Sequence, residues 1–168
     1  MEKIFEIIKQ FLLGTVNAAI KKFNEKYQEN LPLFTNENIV FGSIDPFKNP
    51  TQKMLCSIYP DSQSNESNEL SYFQTISNFT LTIVNKNELY KQLLSHICAY
   101  SNIIIKSFLE NYNMKTTFIN SAGIEETVSV DNTEIGERTF YPDAGIAEKQ
   151  TAAVEINLTI YQTEEIGD

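Results

Sequence analysis

The sequence predicts an α+β fold: an antiparallel sheet of about four strands packed against two long helices, with an extended hairpin or arm. Three observations carry that expectation. Ser71 to Tyr112 switches within one stretch from an alternating to a helical period, residues 2–28 hold a single apolar stripe, and Ala153 to Tyr161 alternates without a break.

In the first of these, Phe79, Leu81 and Ile83 alternate with Asn78, Thr80 and Thr82, the pattern of a half-buried strand. Tyr90, Leu93, Leu94, Ile97, Tyr100, Ile104 and Phe108 then recur at spacings of three and four, which lines them along one side of a helix. Asn85, with Glu88 three residues later, reads as an Asn version of the capping box and is expected to mark the boundary.

Residues 2–28 place Ile4, Ile8, Phe11, Leu12, Val16, Ile20 and Phe23 on one face of a long amphipathic helix. Gly14 weakens its middle by about 1 kcal/mol relative to Ala, and Asn30 with Pro32 ends it. Ile39 to Ile44 is a short strand, and the run Asp45 to Pro50 supplies the turn residues that follow it. Lys53 to Tyr59 alternates again, and Pro60 with Asp61 is expected to close that strand.

Residues 61–70, DSQSNESNEL, are acidic, rich in Ser and Asn and almost free of apolar side chains, so they read as an exposed loop. Lys115 to Ile119 and Thr127 to Val130 are short strand candidates within a long connection, 113–150, read as the arm. Phe140 and Tyr141 sit beside a turn at Pro142-Asp143. The last strand, Ala153 to Tyr161, puts Val154, Ile156, Leu158 and Ile160 on one face and is expected to pair inside the sheet.

At 168 residues and 42% hydrophobic content the chain is long enough to bury one core and too short for two large ones. The expectation is one domain over 1–168, with the N-terminal helix at 1–30, a sheet and helix core at 35–112 and 151–162, and the arm between. A net charge of −9 opposes tight binding of nucleic acid backbones. No apolar run reaches the length of a membrane span, and no export signal is read at the N-terminus. Cys56 and Cys98 are expected as buried free thiols.

The catalytic inventory is thin. The one histidine, His96, lies beside the apolar stripe of the second helix, where a boundary or core role is expected. Glu125 with Glu126 and Glu164 with Glu165 are adjacent pairs without metal-ligand spacing. No phosphate loop, nucleophile elbow or dinucleotide fingerprint occurs. The expectation is no enzyme, no cofactor and no metal.

The succession FGSIDPFKNPTQKMLCSIYP, the strand FTLTIV, the helix opening NELYKQLL and the closing strand AAVEINLTIYQ together resemble the tail terminator or tail completion (neck) proteins of tailed bacteriophages. The resemblance spans most of residues 35–162 in order and pattern. It implies a structural virion protein assembled in the bacterial host cytoplasm: a hexameric ring that caps the tail tube, docks to neck or connector proteins, and lets DNA through its lumen without specific binding. No membrane is implied. A head-completion connector ring is an alternative within the same particle, and a small cytosolic ligand-binding α+β protein is the alternative from another class. Candidate interface residues are Asp61, Glu66 and Glu69 in the acidic loop and the aromatic pair Phe140 and Tyr141.

Overall fold

The computed structural model describes residues 2–44, 53–69, 72–86, 90–119, 123–142 and 151–165. The chain starts helical, as α1 (Glu2–Phe11), a π-helical turn (Leu12–Val16) and α2 (Asn17–Tyr27). Asn17 explains the π turn. Its side-chain amide donates to the carbonyl of Leu13, four residues back, at 3.1 Å, while its own N–H turns to Leu12 and Gly14. Gly14, without a side chain, offers little resistance to this widened winding.

Gln28 then leaves the helix in the left-handed region at φ 55°, with Glu29 N–H donating back to Asn24 O at 3.1 Å. An extended strap follows and leads into β1 (Ile39–Phe41). Next come β2 (Met54–Glu69), β3 (Tyr72–Lys86), α3 (Tyr90–Glu110), β4 (Lys115–Ile119), β5 (Glu125–Ser129), β6 (Asn132–Tyr141) and β7 (Thr151–Glu165).

The main sheet has five strands in the order β1-β2-β3-β7-β6, and β4-β5 form a separate two-stranded sheet. β1 runs parallel to β2; the other pairs are antiparallel. α3 lies on β3, β7 and β6, α1 packs on β4 and β5, and α2 meets α3. The core between them joins Leu93, Ile97, Tyr100, Ile104 and Phe108 of α3 to Leu81 and Ile83 of β3 and Ile156 and Leu158 of β7. Phe11 and Phe108 stack at 4.6 Å between ring centres and Phe5 meets Phe41 at 4.7 Å, so the first helix is tied to α3 and to the sheet edge.

This architecture corrects the expectation of about four antiparallel strands against two long helices. The sheet is mixed and five-stranded, with β1 parallel to β2. One helix, α3, is long, with 21 residues; the N-terminal run is split by the π turn into helices of 10 and 11 residues. Residues 61–69 are strand rather than loop, because β3 supplies backbone partners that their polar side chains do not advertise. Pro60 and Asp61 therefore do not end β2; a bulge between Pro60 and Ser62 carries the strand past the proline.

The expected arm at 113–150 divides, its first part forming the β4-β5 hairpin and its second the sheet strand β6. Asn85 is no helix cap: it is a buried member of β3, opposite Met54 and Ala152. Cys56 is buried as expected, whereas Cys98 is exposed. Glu88, Asp143 and the run 45–50 lie outside the described residues.

Candidate assembly surface

β2, β3 and β7 are each 15 or 16 residues long, about 50 Å of strand at ~3.3 Å per residue. α3 spans about 31 Å. The apolar stripe facing the helices ends at Phe79 in β3 and Ile160 in β7, and in β2 its last buried member is Ile58. Beyond that level the three strands continue as a polar extension. Along it, Asp61 to Glu66 are all exposed, and Thr75 Oγ1 donates to Asn65 Oδ1 at 3.2 Å.

The sheet face turned away from the helices is held by short polar side chains bonded across the strands. Thr80 Oγ1 donates to Asp61 Oδ2 at 2.7 Å and lies 3.1 Å from Asn157 Oδ1. Asn78 bridges three strands, donating to Ser62 Oγ at 2.9 Å and accepting from Thr159 Oγ1 at 2.8 Å. Tyr161 OH donates to Glu134 Oε2 at 3.1 Å, and this bond, with the charges of Glu134 and Glu66, raises the phenol above its ordinary range. No Lys or Arg occurs between Pro60 and Val84 or after Gln150, so the three extended strands contribute only negative charge beyond their cores.

The expected interface residues do not gather into one patch. Asp61, Glu66 and Glu69 follow one another along β2, Glu69 at its end opposite Tyr72. Phe140 and Tyr141 lie on β6, three strand positions away in the sheet order and opposite Val154 and Ala153 near the start of β7. Phe140 is 41% exposed, with the Arg138 guanidinium 5.7 Å from its ring centre. Tyr141 instead packs beside the buried pair Val84 and Ala153 and donates from its hydroxyl to Glu155 Oε2 at 2.7 Å. That bond pushes the Tyr141 phenol up as well. Glu134, Glu155 and Tyr161 are not among the expected interface residues, although the alternation of Ala153 to Tyr161 sets Glu155 and Tyr161 opposite its apolar face.

No protein-family model matches the sequence, and no curated protein does either. Among solved structures the chain is similar to a chain in the virion of a native gene transfer agent (GTA) particle, with a TM-score of 0.50 and 7% identity. The two share a fold. The correspondence covers 95% of this chain and 94% of the other.

Two further places bear on chemistry. A surface cavity of about 400 Å³ lies between α1, the π turn and the entry to β4, lined by Gln10, Phe11, Thr15, Asn113 and Lys115 among others. His96 Nε2 lies 3.3 Å from Glu29 Oε2, pinning the start of the strap to α3. Among the described residues no group of three His, Cys, Asp or Glu is placed to hold a metal ion, and no helix is long and apolar enough to cross a membrane.

Proposed function

We propose that this chain is a structural protein of a phage-like virion and, within it, a tail terminator at the head-tail junction. The observation that carries the reading is the fold correspondence along nearly the whole chain with a component of a GTA virion. In this reading copies of the chain close into a hexameric ring by one repeated head-to-tail contact, cap the tail tube and dock to the neck or head. The protein works as a binding surface, not as an enzyme.

The charge distribution supports such a role. A net charge of −9, with a sequence that lacks Lys and Arg over 60–84 and 151–168, suits a surface that DNA passes without being gripped. Phe140, half-exposed on the edge strand β6, is the anchor assigned to the contact between copies. The exposed acidic residues Asp61 and Glu66 face other components of the particle, with Glu69 at the end of the same strand.

Light scattering after size exclusion, across a concentration series, tests the ring, and antibody labelling of intact particles tests the position. A discrete hexamer and label at the head-tail junction support the reading. A monomer at every concentration, with no copy in purified particles by mass spectrometry, overturns it.

A further inference from the structure

The open edge of β2 carries an inference that does not depend on ring formation. β1 covers β2 only at Cys56, Ser57 and Ile58, and no other described strand lies on that side. Beyond this point β2 runs on to Glu69 with β3 on its other side alone.

The direction of the backbone groups along this edge follows from the register. Cys56 N–H donates to Asn38 O at 2.7 Å and Ile58 O accepts from Gly42 N–H at 3.1 Å, so these residues turn their polar backbone groups away from β3. Their β3 partners, Ile83 and Leu81, therefore turn towards β7, and by alternation so do Phe79, Ser77, Thr75 and Phe73. The residues of β2 opposite these four are Pro60, Gln63, Asn65 and Ser67. Pro60 is the one without an N–H to offer, which suits an edge position. Gln63, Asn65 and Ser67 present three N–H and three C=O groups outwards at regular spacing.

The charges say what fits. Asp61 and Glu66 flank these groups, and Glu69 ends the strand. The sheet's other edge, β6, exposes Glu134 and Glu137, while its one cation, Arg138, reaches back to Ser101 and Asn102 of α3. Pairing β2 of one copy with β6 of another would set carboxylates against carboxylates, which opposes self-addition. We propose that the edge of β2 from Gln63 to Ser67 accepts an extended, lysine- or arginine-bearing segment of a partner protein as an added strand. Main-chain bonds to Gln63, Asn65 and Ser67 supply the register, and Asp61 and Glu66 select positive charge.

The test uses the full chain and two labelled peptides of equal length, one alternating valine with lysine and one alternating valine with glutamate. Fluorescence anisotropy reads binding, and hydrogen exchange reads which amides gain protection. The lysine peptide is expected to bind about tenfold or more tightly than the glutamate peptide, to weaken as salt rises, and to protect Gln63, Asn65 and Ser67. Gln63→Pro removes one outward N–H and is expected to weaken binding about tenfold. A second variant, Asp61→Lys with Glu66→Lys, keeps the backbone and is expected to reverse the preference towards the glutamate peptide. Equal binding of the two peptides, protection confined to other strands, or an unchanged preference in the double variant would overturn the proposal.

Discussion

Asn17 closes both backbone groups of Phe34 with one side chain: its Nδ2 donates to Phe34 O at 2.8 Å and its Oδ1 accepts from Phe34 N–H at 2.8 Å. Asn24 does the same for Leu31, at 3.0 Å in both directions. The two asparagines are two helical turns apart, about 10.5 Å at 1.5 Å per residue. Phe34 and Leu31 are three extended residues apart, about 10 Å. The matching lengths let α2 serve as a strand-like partner for the strap. Tyr100 OH fastens it between these points, donating to Pro32 O at 2.6 Å.

Asn17→Ala should therefore destabilise the fold by about 2–4 kcal/mol, because two buried backbone groups lose their partners at once. Asn24→Ala, at a site nearer solvent, should cost about 1 kcal/mol. Urea unfolding of the two variants tests this. If the costs were equal, burial around Phe34 would not be the controlling factor.

Alkaline pH should destabilise the fold through two buried acids of the core. Burial pushes the Cys56 thiol from an ordinary 9.0 up to about 12, and it raises the Tyr100 phenol too. The folded chain holds these protons more tightly than the unfolded chain does. Their contribution to stability is thus complete below pH 9.0 and is lost as pH rises towards about 12. The slope is about 1.4 kcal/mol per pH unit for each proton involved. Cys56→Ala should flatten the decline that begins near 9.0 and leave the part due to Tyr100, which begins above its ordinary 10.0. Urea midpoints on either side of pH 9.0 measure it.

Burial decided what was legible in the sequence. The stripe of α3 from Leu93 to Phe108 and the alternation of Val154 to Ile160 were readable because those side chains meet the core, and a periodic core leaves a periodic sequence. Ser62 to Ser67 were not, because an exposed strand is fixed by backbone bonds that any residue can make. Asn85 misled for a related reason: its residue type suits a helix cap, yet β3 runs one residue beyond it, to Lys86. Of the candidate surface, the acidic run and the aromatic pair were visible as composition. Their separation across the sheet was not, since it depends on β7 lying between β3 and β6.

Two backbone positions in the first helical run should respond in the same direction to opposite substitutions. Gln28 occupies the left-handed region at φ 55°, so Gln28→Gly should stabilise the chain by about 0.5–1 kcal/mol. Gly14 has no positive φ and a Cβ there would meet nothing within 4 Å, so Gly14→Ala should also stabilise, by up to about 1 kcal/mol. Thermal melts of both variants suffice. A loss on Gly14→Ala would show that the π turn itself requires glycine.

Phe140 and Tyr141, adjacent on β6, should separate assembly from folding. Phe140 is 41% exposed, so Phe140→Ala should change monomer stability by only about 0.5 kcal/mol. Tyr141→Ala uncovers Val84 and Ala153 and strips Glu155 of its bond, and should cost about 1–2 kcal/mol. If Phe140 anchors the contact between copies, Phe140→Ala lowers the mass seen by light scattering while the melting temperature holds. Tyr141→Phe, which keeps the ring over Val84 and removes only the hydroxyl, should leave that mass unchanged. Loss of mass in the second variant and not the first would move the contact from the exposed ring of Phe140 to the hydroxyl and carboxylate of Tyr141 and Glu155, on the opposite face of the sheet.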